Sequence, residues 1–112
     1  MPETFIKRVL GASKSHAWIK SVEQQHTGKV AKLKLVLGDD QFVAVFYNSH
    51  TGSTSYAYIE RGVRLFGANN MKIGWHLHPW GDDEKHIASD PLTINQFLLR
   101  LEKHLRESQK LC

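Results

Sequence analysis

Lys29 to Leu37, KVAKLKLVL, constrains this chain more than any other stretch. Leu33, Leu35 and Leu37 fall at every second position, with Lys32 and Lys34 between them. A period of two puts the leucines on one side of an extended segment and the lysines on the other, which describes a strand with one face buried. Gly38, Asp39 and Asp40 follow as turn formers. Phe42 to Asn48, FVAVFYN, is apolar on both faces and rich in strand-forming residues, as an interior strand requires. Two such runs joined by a short turn make an antiparallel hairpin. A hairpin alone is marginal, so further strands or a helix must cover its apolar face.

The rest of the chain supplies both. Tyr56 to Glu60 and Val63 to Phe66 read as strands punctuated by Arg61-Gly62, and Gly67 to Asn70 as a turn. Lys72 to His78 reads as another strand, which Pro79 must end because proline offers no ladder donor. Upstream, His16 to Gln24 alternates and predicts one more strand, while Phe5 to Leu10 fits a short strand or a frayed turn. Near the C-terminus, Ser89 or Asp90 is positioned as an N-cap with Pro91 at the first helical position. Ile94, Phe97, Leu98, Leu101 and Leu105 then form one helical apolar stripe. Arg100, Lys103, Arg106 and Lys110 lie off it or at its edge and suit the negative end of the helix dipole. The expectation is an α+β fold: an antiparallel meander of about five or six strands with one long C-terminal helix packed on one face. The 112 residues suit one globular domain, residues 1–112.

Fifteen lysines and arginines against eleven acids give a formal net charge of +4. A basic surface attracts polyanions, RNA among them, through phosphate contacts and counterion release. The sole cysteine, Cys112, excludes an internal disulfide and fits a reducing cytoplasm. No apolar run approaches the roughly 20 residues of a membrane helix, and the first residues lack the apolar segment of a signal peptide. The expected location is therefore cytoplasmic, with no membrane partner.

Chemistry concentrates in GWHLHPWGDDEKH, Gly74 to His86, which holds three of the seven histidines. On a strand His76 and His78 would project together, with Trp75 and Leu77 opposite. Histidine titrates near neutrality, so His76, His78 and His86 can serve as catalytic base and acid, as in RNA cleavage by the 2′-hydroxyl. A cation must then stabilise the charge developing on phosphorus. Arg61, Arg64 and Lys85 are the candidate nucleic-acid-binding residues, and Asn69 and Asn70 can add hydrogen bonds. The same three histidines, with an oxygen from Asp82, Asp83 or Glu84, also match a metal site with an open position. A hydrated acidic turn with incidental histidines is the bland alternative. A third class is a non-catalytic interaction module pairing through an exposed sheet edge, with the Tyr56 to Phe66 strands as that edge. Tyr56, Tyr58, Phe66 and Trp80 offer rings for base stacking, although packing explains such residues more often. No Gly-x-Ser-x-Gly and no phosphate-binding glycine loop is present.

The second half of the chain resembles the TumE-type toxins of toxin–antitoxin pairs. The matching features are Tyr56-Ala57-Tyr58, Asn69-Asn70, His76-Leu77-His78-Pro79 with His86, and a final helix over Pro91 to Glu107. The resemblance implies a small cytoplasmic toxin acting on RNA and silenced by an antitoxin protein. Only the clustered histidines carry over as site residues. An open sheet edge would in addition let two copies pair as a homodimer.

Overall fold

A computed structural model describes residues 2–72 and 74–108. The chain begins with helix α1 (Pro2–Lys14) and continues through strands β1 (Ser21–Thr27), β2 (Val30–Gly38), β3 (Gln41–Asn48), β4 (Thr54–Glu60), β5 (Val63–Asn69), β6 (His76–His78) and β7 (Ile87–Ala88), ending in helix α2 (Ile94–Glu107). Among the described residues the sheet has seven strands in sequence order, each antiparallel to its neighbour. The α+β meander with a C-terminal helix is therefore the architecture, with α1 added on the same face and α2 only 14 residues long.

Strand alternation decides what each face carries. Leu33 and Leu35 pair with Val45 and Val43, which pair with Tyr56 and Tyr58, which pair with Ala68 and Phe66. All of these are buried, and Phe97, Leu98, Leu101 and Leu105 of α2 close over them with Ile6 and Val9 of α1. The apolar stripe read from the sequence is thus the buried face of α2. Along β6 the same alternation sends Leu77 to the helix side and His76 and His78 to the bare side, where no helix packs.

Several expectations are corrected. Phe5 to Leu10 is neither strand nor turn but the middle of α1, whose Ile6, Val9 and Ser13 recur at helical spacing and are buried. His16 to Lys20 is a turn, and the extra strand begins at Ser21. Gly67 to Asn69 extend β5 instead of forming a turn. β6 starts at His76, Met71 and Lys72 are turn residues, and Ile73 lies outside the described residues. Helix α2 starts at Ile94, not at Pro91. Thr93 caps it through a capping box: its hydroxyl accepts from Gln96 N–H at 3.1 Å, and the Gln96 amide oxygen accepts from Thr93 N–H at 2.9 Å. That reciprocal pair satisfies two otherwise unpaired donors, which a proline cannot do. Finally, the Tyr56 to Phe66 strands are not an edge. β4 and β5 are hydrogen-bonded on both sides, and the free edges belong to β1 and the two-residue β7.

Candidate functional site

The histidine stretch folds so that all three predicted rings meet. Ring centroids are 5.1 Å apart for His76 and His78, 4.9 Å for His76 and His86, and 4.6 Å for His78 and His86. His76 and His86 stack nearly parallel, with His78 edge-on to both. His76 and His78 come from adjacent same-side positions of β6. His86 arrives from the loop that returns to β7, where Leu77 pairs with Ile87 and His76 with Ala88. His76 and His78 are buried, while His86 is exposed and forms the outer ring of the cluster.

Backbone carbonyls fix the tautomers. His76 Nδ1 lies 2.9 Å from Gly74 O, and His78 Nδ1 lies 2.8 Å from Asp83 O. A carbonyl only accepts, so each Nδ1 carries the proton and each neutral ring keeps its lone pair on Nε2. Gly74 has φ 84°, a left-handed conformation that suits glycine. His78 Nε2 faces the Asn69 amide at 3.4 Å. The orientation of that amide is set because Met71 N–H donates to Asn69 Oδ1 at 3.0 Å, which leaves Nδ2 as the donor towards His78. Among the described residues neither ring nitrogen of His86 has a hydrogen-bond partner, and His76 Nε2 is likewise unpaired.

One guanidinium belongs to the cluster. Arg64 Nη2 stands 3.3 Å from His78 Nδ1. Both are donors once Nδ1–H points at Asp83 O, so the contact is electrostatic and not a hydrogen bond. Arg64 Nε also pairs with the Asp83 carboxylate, which holds that carboxyl below its ordinary range. Burial, and then the positive charge of Arg64 and the neighbouring imidazoles, push His78 below the usual imidazole value, although its bond to Asp83 opposes the shift. His78 is therefore neutral at pH 7 and fit to accept a proton. Gly67 makes room for Arg64: a Cβ there would sit 3.3 Å from Arg64 Cδ and 3.1 Å from Tyr56 O.

The remaining candidates fare differently. Arg61 occupies the β4–β5 turn with φ 53°, donates its N–H to Asp40 O and makes no hydrogen bond to the imidazoles among the described residues. Lys85 is exposed in the β6–β7 loop, next to His86 in the chain, and makes no hydrogen bond to the three rings among the described residues. Asn70 braces the loop before β4 through Thr54 N–H and Gly52 O. Tyr56, Tyr58 and Phe66 are core residues and offer no free ring to a base. Trp80 stacks on Tyr58 and on His104, on the helix side. His16, for which the sequence shows no partner, lies between Asn95 Oδ1 at 3.2 Å and Glu102 Oε1 at 3.4 Å. Cys112 lies outside the described residues.

Two features bear on other chemistries. Among the described residues no group of three or more His, Cys, Asp or Glu side chains is arranged to hold a metal ion. A cleft of about 730 Å³ opens between α1, the sheet and the segment before α2, lined by Phe5, Arg8, Tyr47, Trp75 and Asn95 among others, on the face away from the histidines. No helix among the described residues is long and apolar enough to cross a membrane. No family model matches the chain, and neither does any curated protein or solved structure with which it was compared.

Proposed function

We propose that the protein cleaves RNA by transferring protons through its histidine cluster. The observation that carries this reading is the meeting of three imidazoles beside one guanidinium, on the sheet face that no helix covers and with His86 exposed. His78, neutral at pH 7, takes the proton of a ribose 2′-hydroxyl on Nε2, which exchanges its long 3.4 Å contact with the Asn69 amide for the hydroxyl. The 2′-oxygen bonds to phosphorus as the bond from phosphorus to the 5′-oxygen breaks. His86, the exposed ring, supplies the proton to that leaving oxygen as general acid, and His76 stacks beneath it as a support. Arg64 stabilises the charge building on the phosphoryl oxygens. The products are a 2′,3′-cyclic phosphate and a 5′-hydroxyl, and no oxidant, water or metal enters the balance.

The resemblance to TumE-type toxins extends the reading to the cell. The protein would be a cytoplasmic toxin whose cleavage of RNA an antitoxin holds in check. Induced expression should arrest bacterial growth, and His86→Ala should not.

The biochemical test is incubation of the untagged protein with single-stranded RNA and with DNA of the same sequence, both in chelator. RNA should be cut to cyclic-phosphate ends and DNA left whole, since it lacks the attacking hydroxyl. His78→Ala and His86→Ala should each lose about 100-fold or more in rate, and His76→Ala, which removes only the supporting ring, should lose less. Far-ultraviolet circular dichroism checks their folding, and His86→Ala is the cleanest of the three because its ring is exposed. RNA left intact by wild-type protein under all conditions refutes the reading.

One observation favours a second reading. Histidines that ligate metals donate their other ring N–H to a carbonyl or carboxylate, as His76 and His78 do to Gly74 O and Asp83 O. Against it stand the positive charge of Arg64 beside His78 and the engagement of Asp83 with that arginine. Stoichiometric zinc, iron, nickel or copper in protein purified without a histidine tag would favour the metal reading, as would cleavage abolished by chelator.

A further inference from the structure

The register of the sheet draws a line across its bare face that ends at the histidines. Lys34 on β2 pairs with Ala44 on β3, Ala44 with Ala57 on β4, Ala57 with Gly67 on β5, and Gly67 with His78 on β6. The three middle positions carry a methyl group or nothing. One neighbouring row runs Lys32, Phe46, Ser55, Asn69, His76. The other holds Phe42, Ile59 and Arg64. Small residues between two taller rows make a trough, and a concavity of about 450 Å³ lies along its first half, floored by Ala44 and Ala57 and walled by Phe46 and Ser55. Lys32 and Lys34 are exposed at one end. Lys34 Nζ sits 4.5 Å above the Phe42 ring, which holds its charge over the trough. Arg64 lies across Gly67 at the other end and delivers its guanidinium to the cluster. At roughly 4.8 Å per strand, the distance from Lys34 to His78 is about 19 Å.

We infer that this trough is the track along which a single strand of RNA reaches the histidines. The inference rests on the cleavage reading above and deepens it by naming how the substrate is held. Charge complementarity selects the occupant: Lys32 and Lys34 outnumber Glu23 at one end, Arg64 stands at the other beside Asp83, and the floor between is uncharged, so a phosphate chain spans the gap with its bases free to lie on Phe46. A duplex would not enter, because the trough is one residue row wide. Glu23, opposite Lys34 on β1, marks the outer limit of the track.

The test uses the full chain and a fluorescent 2′-O-methyl oligoribonucleotide of about 12 nucleotides, in the size range of small single-strand binding folds, which cannot be cleaved. Its anisotropy gives affinity against salt for wild type, for Lys32→Glu/Lys34→Glu, and for a control with the same charge change on the helix side, Lys7→Glu/Lys103→Glu. The trough variant should bind at least tenfold more weakly, with a log–log salt slope shallower by about 1.4, the release expected for two lost phosphate contacts. The control should lose less, and the trough variant should cleave a dinucleotide as wild type does. Equal losses in both variants, or no loss in the trough variant, overturn the proposal. So does a wild-type protein that binds no RNA, or whose bare face is protected only by a protein partner. RNA held on the trough without any cleavage would keep the track and discard the nuclease. Cleavage of long and short RNA alike, indifferent to Lys32 and Lys34, would do the reverse.

Discussion

The two faces of the sheet follow different rules. The helix-side face is a packing problem: Leu35, Val43, Tyr58, Phe97 and Leu101 have almost no exposure, and each neighbour is fixed by the next. The bare face is a chemistry problem. Its rows carry lysines, alanines, a glycine, an arginine and two histidines, and its two buried histidines are each fixed by specific hydrogen bonds as well as by packing. The same strands serve both faces because their side chains alternate. A substitution therefore reports on stability or on activity according to the parity of its position.

That contrast breaks most severely at Phe97. Phe97→Ala leaves a hole beneath Tyr56 and Phe66, whose rings lie 5.3 and 5.2 Å from it, and should cost about 3–5 kcal/mol, read from denaturant unfolding. His86→Ala on the other face should show the opposite balance: about a 100-fold loss in RNA cleavage with a melting temperature close to wild type. Gly67→Ala comes next. Its Cβ crowds Arg64 and the Tyr56 carbonyl, so cleavage should fall several-fold, and Arg64→Ala should lose more. A Gly67→Ala protein with full activity would mean that Arg64 does not need its present path. Thr93→Ala removes half of the capping box and should cost about 1 kcal/mol with cleavage per folded molecule unchanged.

Acid should reveal a smaller difference that spans both faces. Burial lowers the titration of His78 on the bare side and of His104 on the helix side. The unfolded chain then takes up protons first as pH falls. Stability is fully present above the ordinary imidazole value of 6.5 and is lost as pH drops from there towards the lowered values. Melting temperatures between pH 8 and 5 should decline on the acid side, and His104→Phe should flatten part of the decline. A melting temperature that rises on acidification would contradict both assignments.

How much of this was legible depends on how local the cause is. β2, β3 and the buried stripe of α2 follow from periodicity, because alternation and helical spacing are properties of neighbouring residues. Helix α1 was obscured by Phe5, Val9 and Gly11, residues with weak helix propensity; burial of Ile6 and Val9 against the sheet overrides that preference. Pro91 is a conspicuous but misleading start signal for α2, while Thr93 with Gln96 is a quieter and stronger one. In the site, the shared side of His76 and His78 was visible as a two-residue spacing. The arrival of His86, the selection of Arg64 over Arg61 and Lys85, and the role of Asp83 were not, since each depends on how a loop folds back. The trough was half visible: KLK placed two lysines on one side, but only the register aligns them with His78.

Trp80 and Asp83 stand three positions apart, yet they grip opposite sides of the molecule. The indole lies between Tyr58 and His104, and the carboxylate holds Arg64. The segment joining them is a short clasp drawn tight around the sheet's margin, with Gly81 N–H fastened to Leu65 O at its bend. Slack inserted there would free the imidazoles without touching them, and disturbance of the last turns of α2 would reach them through the indole. Order in the cluster is thus tied to the seating of α2, and the two should be lost together on heating.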